Sequence, residues 1–416
     1  MKILFLTPQV PYPPEKGTAL RNWGLISNLA ARHDVAVLSF VGQGQQAEMP
    51  AELTRVGRAA GVQAPTRTVG ERLWGMLSSR RPDMALRLLS ETYRRMLAEW
   101  LAEEAFDVAH VEGIEMAPYL DVLESAADRP LIVFDDHNCE YLLQRRVFLS
   151  DLGVPARWAG AFYSLVQWRR LRKFETAVCR RADRVLAVSE ADAEALRRLV
   201  ASVEIDVVPN GVDTESYRPV PHREEEHSLV FTGTMDYRPN VDGVLWFVRD
   251  VLPRVREVEP RAHLYVVGQR PHRRLQALVG EPGVTVTGRV EDVRPYIARA
   301  SVYVAPLRSA GGTRLKLLEA MAMGKAVVAT HLAAEGYPVA DGEHMLLAHT
   351  AADFAAAVVK LLRDPARRES LGRVGRAFAE QGYDWRAIVP MVEEAYRLPQ
   401  ARRRAKPVTG GDSGGN

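Results

Sequence analysis

The sequence predicts an α/β protein with two doubly wound domains in tandem and a ligand cleft between them. The chain has 416 residues, which is more than one ordinary α/β domain needs and enough for two domains that each bury a core. Short apolar segments rich in β-branched residues alternate with helical patterns almost from end to end, which is typical of parallel βαβ units. The alternation starts again near residue 228, so two such domains follow one another.

The first series is predicted to form an N-terminal domain at 1–213. Its six strands are predicted at 2–7, 35–40, 106–113, 131–137, 184–189 and 205–210. These segments are almost continuously apolar, which indicates strands buried on both faces, with helices covering either side of the sheet. A helix should follow the first strand, because Trp23, Ile26 and Leu29 recur at helical spacing.

A polar, proline-containing stretch at 216–227 reads as an interdomain linker, and the second series follows it. This series is predicted to form a C-terminal domain at 214–383. Its five strands are predicted at 228–233, 262–268, 284–290, 302–306 and 326–330. One more amphipathic helix is predicted at 384–400. Residues 401–416 lack apolar side chains to pack and are predicted to be disordered.

Composition favours a soluble globular protein, with 47% hydrophobic and 26% charged residues. No stretch approaches the roughly 20 apolar residues of a membrane span. Basic and acidic residues nearly balance, 55 against 52, so the charge gives no reason to expect a nucleic-acid partner. Cys139 and Cys179 are too few for a disulfide framework or a thiolate metal site, and a cytoplasmic location is therefore predicted.

The residues best suited to phosphate chemistry lie in AGGTRLKLLEAMAMGKAVVAT, which reads as a glycine turn, a helix, a glycine stop and a buried strand. Thr313 is the predicted N-cap, so the backbone N–H groups of Gly312 and Thr313 would point from the helix N-terminus toward a phosphate. Arg314 and Lys316 add positive charge that suits a diphosphate. The Glu319 carboxylate, one turn further, could accept hydrogen bonds from ribose hydroxyls. Alternatively, Lys316 and Glu319 form an ordinary surface pair.

The first domain should supply the opposite wall of the cleft. Gly17, in the loop between the first strand and the first helix, would let the backbone approach a ligand, although a plain βα loop is also possible. His137 follows a strand at its carboxyl end, where it could hydrogen-bond a sugar hydroxyl or shield charge; a lone histidine is more often structural. Asp135, Asp136 and Glu140 lack a second carboxylate cluster at ligand spacing, so no metal is predicted.

The glycine-turn helix, followed by Glu335 and Gly336, resembles the nucleotide-sugar motif of glycosyltransferase family 4, the group 1 transferases. In particular, it is similar to a bacterial subgroup of exopolysaccharide sugar transferases associated with exosortase gene clusters. The resemblance covers nearly the whole chain, and further segments carry it: PQVPYPPEKGTALRNWGLISNLA, DDHNCEY, AVSEADAEAL, VVPNGVD, GTMDYRPNVDGVLWF and YDW.

The resemblance implies a GT-B fold, which consists of two Rossmann-like domains and a C-terminal helix that crosses back to the first domain. It implies sugar transfer with retention from a nucleotide diphosphate sugar, without metal or cofactor, onto a glycan or lipid-linked acceptor. His137 and Glu319 would be the catalytic residues. The donor site would contain Gly17, Gly233, Gly311, Gly312, Thr313, Arg314, Lys316 and Glu319.

The sequence departs from the family pattern at three positions. Gly311 stands eight residues before Glu319, where relatives usually carry another glutamate that addresses the donor sugar. Thr234 and Pro239 stand where most relatives have an arginine and a lysine. These changes indicate a subgroup with a rewired donor site, in which Arg314 and Lys316 take over the phosphate contacts, and they leave the donor sugar open.

Three other functions would also suit a chain with two such domains. A nucleotide-sugar epimerase would need clear acid and base carboxylates at the sugar, and Gly311 argues against it. A NAD-dependent dehydrogenase would need a GxGxxG turn after a strand, and the sequence has none. A non-catalytic nucleotide-sugar binding protein stays open.

A basic, aromatic segment at 157–181 allows two interpretations. It could hold the enzyme on the inner face of an anionic membrane, where a lipid-linked acceptor would be anchored. Alternatively, Phe162, Trp168, Leu171 and Phe174 recur at helical spacing, as in a helix that covers its own domain while its arginines are solvated.

Overall fold

A computed structural model describes residues 1–14, 17–44, 48–153, 155–220, 224–309 and 314–397. They form two parallel sheets, each packed with helices, which confirms the predicted class of two doubly wound α/β domains. The predicted tail at 401–416 and the last residues of the predicted 384–400 helix lie outside the described residues.

The first sheet has seven parallel strands in the order β3-β2-β1-β4-β5-β6-β7. Their bounds are β1 Lys2–Thr7, β2 Asp34–Val41, β3 Gly57–Gln63, β4 Val108–Glu112, β5 Leu131–Asp136, β6 Arg184–Ala187 and β7 Ile205–Val207. Strand β3 was not predicted. It is an edge strand in which only Val62 is buried, so it lacks the apolar run that identifies the other six.

The second sheet has six parallel strands in the order β10-β9-β8-β11-β12-β13. Their bounds are β8 Glu225–Thr232, β9 His263–Val267, β10 Val284–Gly288, β11 Ala300–Ala305, β12 Val327–Thr330 and β13 Leu346–Ala348. The sequence missed β13, which has three residues. Strand β8 begins inside the predicted linker, because Glu225 pairs with Ala300 at the start of β11.

Helices pack on these sheets throughout both halves of the chain. In the first half they are α1 Gly17–Leu29, α2 Ala51–Val56, α3 Val69–Ser78, α4 Asp83–Arg87, α5 Glu91–Glu103, α6 Leu120–Glu124, α7 Glu140–Leu152, α8 Trp158–Arg181 and α9 Glu190–Leu199. In the second half they are α10 Arg238–Trp246, α11 Leu252–Val258, α12 Arg273–Gln276, α13 Arg294–Arg299, α14 Leu315–Ala322, α15 His331–Ala334, α16 Ala351–Arg363, α17 Pro365–Tyr383 and α18 Trp385–Ala395.

Helix α18 leaves the second domain and completes the core of the first. Ile388, Val389 and Val392 are buried in one cluster with the apolar residues of β1 and α1. The Trp385 ring lies against Gly24 and Gly211, where an added Cβ would stand 2.0 Å and 2.6 Å from its atoms. Glycine at both positions is therefore what lets the crossing helix approach α1 so closely.

Candidate active site

One side of the cleft is a cavity of about 750 Å³ at the carboxyl ends of the strands of the second sheet. The loops after β8, β9 and β10 line it, together with α14 and residue Tyr217 from the segment that joins the domains. Parallel sheets of this kind bind ligands at the carboxyl ends of their strands. The cavity brings together three of the predicted donor-site residues, Gly233, Lys316 and Glu319.

Lys316 reaches into this cavity from the first turn of α14. Its Nζ donates a hydrogen bond to Asn240 Oδ1 at 2.8 Å and lies 4.3 Å from the centre of the Phe231 ring. Gly233 leaves room for it: Gly233 has a positive φ of 153°, and a Cβ there would stand 2.7 Å from Nζ. Burial lowers the pKa of Lys316 to about 7. The surroundings of the ammonium group therefore disfavour its positive charge.

Glu319 lines the same cavity one turn further along α14. Burial raises the pKa of its carboxyl group, against the opposing effects of the Lys316 charge and a hydrogen bond from Tyr217. The charge of Glu319 in turn raises the pKa of the Tyr217 hydroxyl. The contact with Tyr217 shows that Glu319 is not part of an ordinary surface pair. Sequence reasoning missed Tyr217, which follows the PNGVD turn in the predicted linker.

Arg314 is not in the large cavity, contrary to the prediction that it joins Lys316 there. Its buried guanidinium turns toward Glu335: Nη1 donates to the Glu335 carbonyl oxygen at 3.0 Å, and Nη2 lies 3.7 Å from Oε2. Arg314 lines a separate, small cavity beside Arg146 and Asp192 of the first domain. The attraction of the Glu335 carboxylate accounts for this direction.

The predicted N-cap at Thr313 is also wrong. Helix α14 begins at Leu315, and Arg314 occupies the N-cap position with φ −102° and ψ 88°, outside the helical region. The other predicted features of this turn, the contacts of Gly311, Gly312 and Thr313 with a phosphate, lie outside the described residues.

The opposite side of the cleft is a second cavity of about 660 Å³, lined mostly by the first domain. It brings together the predicted residues Gly17 and His137, and Leu315 of α14 contributes to it from the second domain. Gly17 is the first residue of α1, and nothing lies within 4 Å of an added Cβ there. About half of the remaining lining residues are polar, including Arg87, Glu115, Asn138 and Asn210.

His137 follows the last residue of β5 and stands over a buried group of charges. Its Nδ1 lies 2.8 Å from Oε1 of Glu112, whose side chain is fully buried. Burial is the largest single effect and would lower the pKa of His137, but the charge and hydrogen bonding of Glu112, together with the charges of Asp135 and Glu140, outweigh it and raise the pKa to about 9. His137 is therefore an imidazolium cation at neutral pH.

His110, Glu112 and Asp135 converge beneath this site, and their ligand-type atoms lie within 4.8 Å of one another. These atoms already bind cationic or donor groups. The Arg21 guanidinium bonds to both oxygens of Asp135, at 2.7 and 2.9 Å. His110 bonds to Asp135 at 3.2 Å. Arg21 thus supplies the positive charge that a metal would bring to these carboxylates.

Helix α8 packs against α7 as a long hairpin, and the burial of its apolar residues differs between its middle and its N-terminal end. Leu171 is buried, and Trp168 and Phe174 pack against the core, as expected of a helix that covers its own domain. At the tip of the hairpin, by contrast, Trp158 and Phe162 are 61% and 62% exposed. The covering-helix interpretation therefore holds for the middle of the segment, and the membrane interpretation stays a prediction for its exposed start. In the described residues no helix combines the length and apolar character that membrane crossing requires.

Two family models match the chain: "Glycosyltransferase Family 4" over residues 17–216 and "Glycosyl transferases group 1" over residues 226–364. The phosphatidyl-myo-inositol mannosyltransferase of Mycolicibacterium smegmatis is 27% identical over 323 residues, 75% of this chain and 76% of that protein. The D-inositol 3-phosphate glycosyltransferase of Kribbella flavida is 30% identical over 249 residues, 54% of this chain and 58% of that protein.

Solved structures share the whole architecture. Sucrose-phosphate synthase from Thermosynechococcus elongatus superimposes with a TM-score of 0.72 at 19% identity, over 97% of this chain and 100% of that one. Anabaena HepE in complex with UDP and glucose superimposes with a TM-score of 0.62 at 16% identity, over 95% of this chain and 98% of that one. At such identities the likeness concerns the fold.

Proposed function

Because the chain belongs to the glycosyltransferases of family 4 and group 1, with the GT-B fold, we propose that it transfers a sugar from a nucleoside diphosphate sugar to an acceptor in the cleft. The observation that carries this proposal is the cavity that Lys316 and Glu319 line together with Gly233 and Gly268. An anionic diphosphate and a ribose need such a pair, a cation and a carboxylate one helical turn apart.

The donor would lie along the second domain. The diphosphate would accept hydrogen bonds from Lys316 Nζ, and Glu319 would accept hydrogen bonds from ribose hydroxyls. Gly268 has a positive φ of 155°, and a Cβ there would stand 1.7 Å from the Gly233 carbonyl oxygen. The two glycine loops thus pack against each other and leave the cavity floor open to a flat ligand. Support also comes from HepE, which has been solved with UDP and with UDP-glucose.

In our proposal the reaction proceeds with retention, and the protein acts by orientation and by stabilising charge rather than through a nucleophile or a metal. Lys316 would stabilise the negative charge that develops on the leaving diphosphate. His137, on the facing wall, would donate a hydrogen bond to a sugar oxygen. Leu315 borders the cavity that contains His137, so closure of the two domains would bring both walls onto the donor and expel water.

We propose a glycan or lipid-linked acceptor used in exopolysaccharide synthesis, and a membrane contact through the α7–α8 hairpin. The exposed apolar residues of its tip are Val147, Leu149, Leu152, Trp158 and Phe162. Arg145, Arg157 and Arg169 are exposed around them. Aromatic rings that enter a headgroup layer, flanked by arginines that attract anionic lipid, are what an interfacial hairpin needs. A relative named phosphatidyl-myo-inositol mannosyltransferase supports an acceptor with a lipid part.

The donor proposal is tested by thermal stabilisation with UDP-, GDP- and ADP-sugars, since a bound donor raises the unfolding temperature by mass action. We expect one nucleotide class to stabilise the protein, and Lys316→Met to abolish that stabilisation. Turnover of the stabilising donor with acceptor, in chelator, should give a glycoside with retained configuration. Stabilisation by none of the donors would contradict the proposal. Isomerisation of the donor sugar without transfer would indicate the epimerase, and binding without any turnover the non-catalytic protein.

The membrane proposal is tested by flotation with vesicles of phosphatidylcholine, with and without phosphatidylglycerol. We expect binding to the anionic vesicles, and its loss in a Trp158→Ser, Phe162→Ser double variant. Val279→Ser is the matched control, because Val279 is 70% exposed in the second domain. Equal, negligible binding to both vesicles, or binding unaffected by Arg169→Glu with Arg170→Glu, would contradict the proposal.

A further inference from the structure

We infer that Glu112 is a positioning residue, which together with Gly113 holds the His137 ring so that its Nε2 is the nitrogen offered to the sugar. The inference rests on the proposed function, because the sugar that Nε2 would contact is part of that proposal. Its evidence is the arrangement of the three residues at the carboxyl edge of the first sheet.

Glu112 and His137 meet because their strands are neighbours. Glu112 ends β4 and pairs in register with Asp135 of β5, and His137 stands two residues after Asp135, just past the end of β5. Both side chains therefore emerge at the same edge of the sheet. Glu112 is fully buried, and its Oε1 lies 2.8 Å from His137 Nδ1. This contact assigns Nδ1 to the protein and leaves Nε2 for a ligand in the cavity that His137 lines.

Gly113 limits the ring on a second side. It has a positive φ of 73°, and an added Cβ would stand 2.9 Å from His137 Cε1. The ring thus occupies the space that a side chain at position 113 would need. Two adjacent ring atoms, Nδ1 and Cε1, therefore face one short segment, and rotation of the imidazole would break the contact with Glu112.

A second basic group lies beside the Glu112 carboxylate. Its other oxygen, Oε2, lies 3.7 Å from His110 Nε2, and His110 Nδ1 bonds at 2.8 Å to the Tyr396 hydroxyl, just after the end of α18. Removing a buried carboxylate from its cationic partners is costly, so Glu112 and His137 should stay paired as opposite charges.

Other carboxylates act in the same direction on His137. Asp135 and Glu140 add to the effect of Glu112 and raise the pKa of His137, against the opposing effect of burial. Glu115 and Arg21 also face the cavity. While it is protonated, as its raised pKa favours at neutral pH, His137 has no free electron pair to act as a base. Its role is then to donate a hydrogen bond from Nε2 and to place positive charge near the breaking bond.

The test is Glu112→Gln, which keeps the shape of the side chain and removes its charge. The NMR titration of the His137 ring, identified by its absence in His137→Gln, should have a midpoint near pH 9 in the wild type. In Glu112→Gln it should fall by at least about one unit. The turnover number should fall at least about tenfold, while KM for the donor stays unchanged because the donor cavity belongs to the other domain.

Two further variants complete the experiment. Glu112→Asp keeps the charge and should lose less turnover than Glu112→Gln. Glu124→Gln is the matched control, because Glu124 is a partly exposed carboxylate of the same domain that pairs with Arg181; it should change neither readout. An unchanged His137 titration or turnover number in Glu112→Gln would overturn the inference. If that variant does not fold, a wild-type midpoint at or below the ordinary value of about 6.5 would overturn it. The titration of His137 does not depend on turnover. A shifted titration midpoint in a protein that transfers no sugar would therefore contradict the proposed function and not the role of Glu112.

Discussion

Donor affinity should fall as the pH rises above 7, and Lys316 is the reason. In the free protein burial lowers the pKa of this lysine to about 7, so about half of the molecules carry the ammonium at pH 7. A diphosphate diester keeps its negative charges throughout this range and binds the charged form. Binding therefore raises the pKa of Lys316 toward its ordinary value of about 10.4 and takes up protons from solution.

The magnitude follows from linkage. At pH 9 only about 1% of free molecules carry the charge, whereas nearly all complexes do. The dissociation constant should therefore increase about 50-fold between pH 7 and pH 9, or about 2.3 kcal/mol of binding free energy. Proton uptake should rise from about half a proton per donor at pH 7 to nearly one at pH 8.5. The sign is fixed by the lowered pKa of a cationic group in the free state: affinity is highest below pH 7, where Lys316 is already charged in the free protein.

Isothermal titration calorimetry in two buffers with different ionisation enthalpies measures both quantities. The experiment is run in a His137→Gln background, because the pKa of His137, about 9, falls in the same window. Lys316→Arg is the control, since a guanidinium stays charged at these pH values and should make the affinity nearly independent of pH. A pH-independent affinity in the Lys316 protein, or the same slope in Lys316→Arg, would refute the reasoning.

Three other substitutions have definite expected outcomes. Tyr217→Phe removes the hydrogen bond to Glu319 and should raise KM for the donor roughly tenfold in steady-state kinetics; an unchanged KM would show that Glu319 needs no support. Gly24→Ala places a methyl group against the Trp385 ring and should lower stability to denaturant by roughly 1–3 kcal/mol, and an unshifted unfolding midpoint would contradict this packing. Arg21→Met leaves the buried carboxylate of Asp135 without its guanidinium partner and should lower the free energy of unfolding by roughly 3–5 kcal/mol. A loss below about 1 kcal/mol would show that the stability does not depend on this ion pair.

Apolar runs were enough to predict the strands that are buried on both faces. Strand β3 escaped prediction because it lies at the sheet edge and contains Gly57, where a Cβ would stand 1.9 Å from the Val35 carbonyl oxygen. Its place depends on close contact with β2 rather than on its own hydrophobicity. Strand β13 is too short to show a period. Both strands depend on pairing with a neighbouring strand that is distant in sequence, and a local sequence pattern carries no information about such pairing.

The site was predictable where it depends on one segment. Lys316 and Glu319 share a helix, so their spacing already placed both on one cavity wall. The direction of Arg314 depends on Glu335, twenty-one residues away, and local spacing could not reveal it. Tyr217 and Glu112 were missed for the same reason, since their partners lie on other elements. A carboxylate that ends the apolar run FDVAHVEG was nevertheless a usable signal, because a buried acid needs a partner.

The crossing of α18 has a consequence for biosynthesis. Ile388, Val389 and Val392 belong to the same buried cluster as β1, although nearly the whole chain separates them. During translation the first domain emerges long before this helix does, with one apolar face still uncovered. Domains usually fold in the order of synthesis, but this one cannot complete its core until α18, at Trp385–Ala395, has been synthesised. The first domain expressed alone should consequently be prone to aggregation, and a chain truncated before Trp385 should be a substrate for quality-control proteases.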